Sequence, residues 1–366
     1  MSLKIGIVGL PNVGKSTLFN ALVKNAQAEA SNYPFCTIDP NVGVVEVPDS
    51  RLDKLAEISK SQKIVPTVIE FIDIAGLVKN AHQGEGLGNQ FLSHIRETDA
   101  IAMVVRFFEN GNIIHVDGAV NPQNDIKTIE LELILTDLDQ VEKKIGNMRK
   151  EIKAGEKNAA LKLKILEKIK EGLEHEIPVR KIITNQEDFE LIKDTQLITS
   201  KPVLYIANVS EEMAAVPLEK LRSQYNLSED LDDSNFVQIS AKIESELSEL
   251  PEQEQNEYLD SLGLDKTGLN RLIQIAYKTL DLSTFLTSGE KETKAWTIKS
   301  ESTAPQAAGK IHTDFEKGFI AADVIKYDDF VANNGWQGTK EKGLIKTEGK
   351  NYIVKDGDVI IFKFNV

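Results

Sequence analysis

The sequence predicts an α/β protein with a phosphate-binding nucleotide domain, an antiparallel helical hairpin inserted into it, and a smaller α+β module towards the C-terminal end. Three observations lead there. An apolar run, Ile5-Gly6-Ile7-Val8, breaks into a G-x-x-x-x-G-K-S loop at residues 9–16 and resumes as a helix-like pattern at Leu18-Phe19-Asn20-Ala21-Leu22. Leu131, Ile134, Leu138, Val141, Ile145 and Met148 recur at alternating spacings of three and four in an otherwise charged stretch. From about residue 281 short strand-like runs replace long helical ones, ending in Val359-Ile360-Ile361-Phe362.

The first loop carries the chemistry. Its glycines let the backbone wrap closely enough for main-chain N–H groups to point at phosphate oxygens. The following helix turns the positive end of its dipole to the same anion. Lys15 can reach β- and γ-phosphates, and the Ser16 hydroxyl can ligate Mg²⁺. Asn12, Val13, Gly14, Lys15, Ser16 and Thr17 are therefore candidate nucleotide contacts.

In chain order, this helix should run to about residue 24, followed by a Ser-, Asn-, Pro- and Thr-rich loop at 27–40. Thr37 in that loop is a candidate to close over Mg²⁺ when a γ-phosphate is present. Residues 42–47 read as a strand, 51–59 as a short helix, and 65–74 as a second strand ending in Asp73-Ile74-Ala75-Gly76. In this D-x-x-G element Asp73 belongs near the metal, and the Gly76 N–H can meet the γ-phosphate. Residues 76–90 are glycine-rich and are expected to be mobile until a ligand orders them. After a strand at 99–108 comes the helical insert, placed at 120–200, whose second helix aligns Leu163, Leu166, Ile169 and Leu173. Strands at 202–207 and 237–239 and helices at 244–250, 252–261 and 268–279 complete a first domain of residues 1–280. The module at 281–366 reads as strands at 282–287 and 293–298, a small flexible stretch at 304–309, a helix-like stretch at 311–319, and short strands to the end.

Composition bounds the function. A chain of 366 residues has room for two or three domains, and 41% hydrophobic with 27% charged residues is ordinary for a soluble protein. There is no membrane-length apolar run and no signal peptide, and the single Cys36 fits a reducing cytosol, so a cytoplasmic protein without a membrane partner is expected, as a monomer. A net charge of −14 argues against general nucleic-acid binding. Residues 281–366 hold 12 Lys against 13 Asp and Glu, so that module is electrostatically the least unfavourable for RNA. Lys294, Lys299 and Lys310, rimming a groove between the first domain and the tail, are candidate RNA contacts, with solvated surface lysines as the alternative.

In guanine-binding switch proteins an N-K-x-D element follows the strand that Ile206-Ala207 would form. Its acid accepts from the guanine ring N–H and amine. Here the element is Asn208-Val209-Ser210-Glu211, without the lysine and with an acid one methylene longer. The guanine fork no longer matches, and losing a bidentate buried contact can remove orders of magnitude of discrimination. Asn208, both donor and acceptor, can serve either base. Asn208 and Glu211 are therefore candidate base contacts, and Ser240-Ala241-Lys242 follows the 237–239 strand; the likeness of this motif order to that of known switch NTPases, not its spacing, implies nucleotide contacts at Val209, Ser240 and Ala241.

These motifs, in this order, resemble those of the YchF/Ola subfamily of the Obg-like, translation-factor-class P-loop NTPases, over essentially the whole chain. The departure at Glu211 is a mark of that subfamily, as are the stretches at 82–89 and 304–315. The resemblance implies a Ras-like α/β domain, a helical insert and a C-terminal TGS domain of β-grasp shape. It also implies ATP hydrolysis in preference to GTP, and association with the ribosome.

The usual water-orienting glutamine is absent after Gly76, where Leu77 has no donor or acceptor, so slow hydrolysis is expected. His82 and His115 are candidates to position the water instead, with a partner or a monovalent cation as alternatives. Cys36 beside Thr37 is a redox candidate against the plainer role of a small loop residue. A conventional GTPase with relaxed base choice and a non-catalytic nucleotide-dependent adaptor are the competing functions.

Overall fold

Continuous apolar runs become buried parallel strands, because a strand covered on both faces has no polar side to present. In the computed structural model, which describes residues 3–29, 41–74, 87–109, 120–153, 159–229, 231 and 234–365, the elements follow as β1 (Leu3–Gly9), α1 (Lys15–Glu29), β2 (Val42–Glu46), α2 (Arg51–Ser59), β3 (Ile64–Val65), β4 (Val68–Asp73), α3 (Leu87–Arg96), β5 (Ala100–Arg106), α4 (Pro122–Lys153), α5 (Ala159–Glu174), α6 (Val179–Ile182), α7 (Gln186–Ile192), β6 (Val203–Asn208), α8 (Leu218–Tyr225), β7 (Phe236–Ile239), α9 (Ala241–Leu247), α10 (Glu252–Ser261) and α11 (Gly268–Thr279). Then come β8 (Leu282–Ser288), β9 (Thr293–Lys299), α12 (Ala304–Ile311), α13 (Thr313–Lys317), β10 (Phe319–Lys326), α14 (Tyr327–Ala332), α15 (Trp336–Glu341), β11 (Lys346–Glu348) and β12 (Asp358–Phe364).

Two units emerge, one of Met1–Val45 with Glu70–Ile275, the other of Glu46–Ile69 with Ala276–Val366. The first is built on a six-stranded sheet of order β2-β4-β1-β5-β6-β7, in which β1–β5, β5–β6 and β6–β7 pair parallel. The order doubles back at β1, and loops at the C-terminal ends of strands flanking such a point form the usual crevice for a ligand.

α4 and α5 pack along each other, joined by five residues, so the insert turns back on itself as the spacing predicts. Ile134, Val141, Ile145 and Met148 share a core with Leu166, Ile169 and Leu173, and Lys170 reaches across to Glu142 at 2.7 Å. Leu131, read as part of the seam, is 38% exposed instead. The first turns of α4 bury a different stripe, Ile126, Ile129 and Leu133, because that end of the helix lies beside β5 rather than α5. Midway along α4, Asp137, fully buried, accepts from Ile198 N at 2.9 Å, Thr199 N at 2.7 Å and the Thr199 hydroxyl at 2.6 Å.

The second unit has a sheet of order β11-β10-β12-β8-β9-β3. β8 and β9 form an antiparallel hairpin, β12 returns parallel to β8, and β10 lies antiparallel to β12. This is the β-grasp arrangement. The stretch expected to be flexible at 304–309 is helix α12. The Gln306 side chain accepts from Thr303 N at 2.8 Å, and Ala304, Ala307 and Ala308 are fully buried. Its residues are small because the helix lies close on the sheet.

A larger difference concerns residues 46–69, read in sequence as part of a continuous first domain. They pack in the second unit. β3 adds an edge strand parallel to β9, and Leu52 and Leu55 of α2 join Leu286, Ala295, Ile325, Phe330 and Val359 on the sheet face opposite α12. Arg51 bridges Asp49 and Asp356, both at 2.7 Å, and Ser59 and Ser61 bond Ser288 and Gly289 at 2.8 Å. The strand expected over 65–74 splits for the same reason: Pro66, which has no N–H to give, separates β3 from β4.

Candidate nucleotide-binding site

The loop after β1 is shaped by backbone that most residues avoid. Asn12 and Gly14 have φ of 63° and 90°, in the left-handed region that asparagine tolerates and glycine adopts freely. At Gly14 a Cβ would land on the side-chain nitrogen of Asn208, and at Gly9 a Cβ would come within 2.8 Å of the Val104 carbonyl oxygen. α1 then starts at Lys15, with Leu18 N donating to Gly14 O at 3.0 Å. Ser16 and Thr17 are exposed at this helix N-terminus, where free N–H groups and the dipole favour an anion.

Lys15 forms an ion pair with Asp73 at the end of β4, the two side chains only 11% and 20% exposed. Each neutralises the other in a partly dry setting. A phosphate oxygen offers Lys15 another anion, and a hard cation offers Asp73 another positive partner, so the pair can open towards a magnesium–triphosphate complex without stranding either charge.

Opposite, the ends of β6 and β7 are tied to the phosphate loop through one side chain. Asn208 is 4% exposed. Its Nδ2 donates to Val13 O at 2.8 Å, and its Oδ1 accepts from Ala241 N at 3.0 Å. A carbonyl can only accept and an N–H only donate, so the amide orientation is unambiguous. The sequence suggests a base contact for Asn208; in this geometry its amide joins the phosphate loop to the Ser240-Ala241 turn. Val209 N donates to Ile239 O at 2.9 Å, holding the two strand ends in register, and the buried Ser240 hydroxyl accepts from Ile243 N at 3.5 Å to cap α9.

Glu211, at the end of the Asn208-Val209-Ser210-Glu211 element, is half-exposed and accepts from Lys242 Nζ at 2.7 Å. Glu246 stands 3.8 Å from the same ammonium, and the Tyr258 hydroxyl donates to Glu246 at 2.7 Å. The Glu246 bond, then burial, pushes the Tyr258 hydroxyl up to about 12, while the Glu211 bond raises Lys242. In the sequence Lys242 only closes the Ser240-Ala241-Lys242 motif. Its distance along the chain from Glu211 carries no sign of the pair, which depends on β6 and β7 being neighbours.

The fold thus gathers Asn12, Val13, Gly14, Lys15, Ser16 and Thr17 with Asp73, and the Asn208, Val209 and Glu211 element with Ser240 and Ala241. Thr37, Gly76, Leu77, His82, His115 and Cys36 lie outside the described residues. In the second unit, Lys294 lies over the Trp296 ring at 3.9 Å and Lys299 donates to Leu280 O at 2.9 Å, so two of the three candidate RNA lysines have internal partners. Among the described residues no cluster of three or more His, Cys, Asp or Glu could hold a metal, and no helix is long and apolar enough to cross a membrane.

Residues 4–208 match a family model described as 50S ribosome-binding GTPase, and residues 282–365 match the YchF-GTPase C-terminal model, described as a protein of unknown function. The chain is 52% identical over 371 residues to the ribosome-binding ATPase YchF of Bacillus subtilis and 53% identical over 366 residues to that of Escherichia coli O157:H7, covering 100% of each chain in both cases. It is similar to the solved YchF GTPase of Schizosaccharomyces pombe, with a TM-score of 0.83 and 37% identity over 99% of this chain and 98% of that one.

Proposed function

The chain belongs to the YchF family of P-loop NTPases, and on that footing we propose that it is a slow, magnesium-dependent ATPase that prefers ATP to GTP and acts on the ribosome in the cytoplasm. The observation that carries the reading is the assembled pocket: a phosphate loop fastened through Asn208 to a base element whose acid, Glu211, is bound by Lys242. A guanine-selecting site needs that acid free to accept from the base. The names of the bacterial relatives support ATP hydrolysis and ribosome binding.

Ser16 and Thr37 would hold Mg²⁺ with Asp73 close by; hydroxyl and carboxylate oxygens suit a hard cation that keeps part of its water. When bound, Mg²⁺ neutralises charge on the β- and γ-phosphates. Lys15 and the main-chain N–H groups of residues 12–17 orient the triphosphate, the Gly76 N–H meets its γ end, and Val209, Ser240 and Ala241 line the base side. With Leu77 unable to orient water, His82 or His115 takes that role, or a group supplied by the partner. RNA contact through the C-terminal unit and a monomeric state complete the proposal.

Titration of ATP, GTP and their non-hydrolysable analogues, repeated with purified ribosomes, tests this. Tighter binding of ATP and phosphate release that rises with ribosomes are expected. The GTPase descriptions of one family model and of the yeast structure favour the alternative of a relaxed GTPase, and GTP binding at least as tightly as ATP would establish it instead. Bound nucleotide with no turnover on ribosomes would establish the adaptor.

A further inference from the structure

Four side chains run in line from α10 to the base element: Tyr258 to Glu246, Glu246 to Lys242, and Lys242 to Glu211. Lys242 leans on Glu211 at 2.7 Å rather than on Glu246 at 3.8 Å. Their side chains are 67% and 37% exposed, so the pair contributes little to folding. Its position gives it another consequence. A free carboxylate there welcomes guanine, whose ring N–H and amine both donate, and repels the unprotonated ring nitrogen of adenine. An ammonium in contact removes the uncompensated charge and keeps further N–H donors for an acceptor on the base.

We propose that Lys242 is a base-specificity residue, which by holding the Glu211 carboxylate disfavours guanine and admits adenine. Lys242 is a positioning residue: it acts on the base through Glu211. Glu246, steadied by Tyr258, keeps a second carboxylate near the ammonium and so anchors the lysine close to the base element. The inference rests on the Asn208–Glu211 element being the base pocket and deepens the ATP reading of that site.

The test is a double-mutant cycle read as the ratio of dissociation constants for the non-hydrolysable analogues of GTP and ATP. Lys242→Ala should move that ratio about fivefold towards GTP, equivalent to about 1 kcal/mol. Lys242→Arg should retain most of the ATP bias, since a guanidinium also pairs with a carboxylate. In a Glu211→Ala background, Lys242→Ala should leave the ratio unchanged. A far-UV unfolding midpoint equal to wild type shows that the effect is not structural. A Lys242→Ala ratio equal to wild type, or the same shift with and without Glu211, overturns the proposal. A wild-type protein that prefers GTP refutes the ATP reading alone, because the change in ratio still decides the role of Lys242.

Discussion

Replacing Asn208 with alanine removes a side chain that joins the phosphate loop to the turn after β7. Both partners are buried, Val13 at 1% and Ala241 at 4% exposure, so neither gains water in exchange. Leaving a buried donor or acceptor without a partner costs about 1–3 kcal/mol, so stranding Val13 O and Ala241 N should together cost about 3 kcal/mol, with limited relaxation. Urea unfolding followed by far-UV circular dichroism reads that loss directly. Binding must then also reorder two loops that were joined beforehand, and nucleotide affinity should fall about tenfold, or about 1.4 kcal/mol. Asn208→Asp distinguishes the two bonds: it keeps an acceptor for Ala241 N and sets a carboxylate against Val13 O, so it should be no better than alanine. An Asn208→Ala protein with the stability and nucleotide affinity of wild type would refute the claim that this amide organises the site.

Further perturbations follow from the packing. Leu55→Ala, at a fully buried position of α2, should lower stability by about 3 kcal/mol. Both tryptophans, Trp296 and Trp336, lie in the second unit, so their fluorescence should report the shift; an unmoved transition would mean that α2 is not part of that core. Asp137→Asn offers one oxygen where three donors need acceptors, and should cost about 2–4 kcal/mol in thermal or urea unfolding. Burial holds the Glu244 carboxyl above its ordinary value, against the amides of Gly268 and Leu269. The folded state then binds the proton more tightly than the unfolded chain, so this group's contribution is most favourable below about pH 4.5 and is lost as pH rises through the folded value. Wild type should therefore lose stability relative to Glu244→Gln as pH rises above about 4.5, and a difference independent of pH would contradict this.

What could be read from sequence was local. Gly9, Gly14, Lys15 and Ser16 announce a phosphate loop because the ligand's shape demands those residues at that spacing. The apolar runs of β1, β5 and β6 announce a buried parallel sheet because nothing polar interrupts them. Helix α2 was legible over its full length, Arg51–Ser59, yet its place was not, since Leu52 and Leu55 say only that one face is buried and their partners lie more than 200 residues away. Leu131 fitted the spacing of the seam and missed it, because a helix passing from one neighbour to another changes the stripe it buries. Small residues at 304–309 suggested slack where they permit close approach. The Lys242–Glu211 pair was hidden because it depends on which strands are adjacent.

The placement of residues 46–69 also has a consequence for biosynthesis. Leu52 and Leu55 leave the ribosome early, and the surfaces that cover them follow roughly 230 to 300 residues later, about 12–60 s of translation at ordinary elongation rates. During that interval an amphipathic helix and a two-residue edge strand have no mate, so the nascent chain exposes a sticky segment just when its nucleotide pocket is being assembled. A stop codon ahead of β12 would do more than delete a terminal strand: it would remove Val359 from the core that covers α2, a helix encoded near the start of the message.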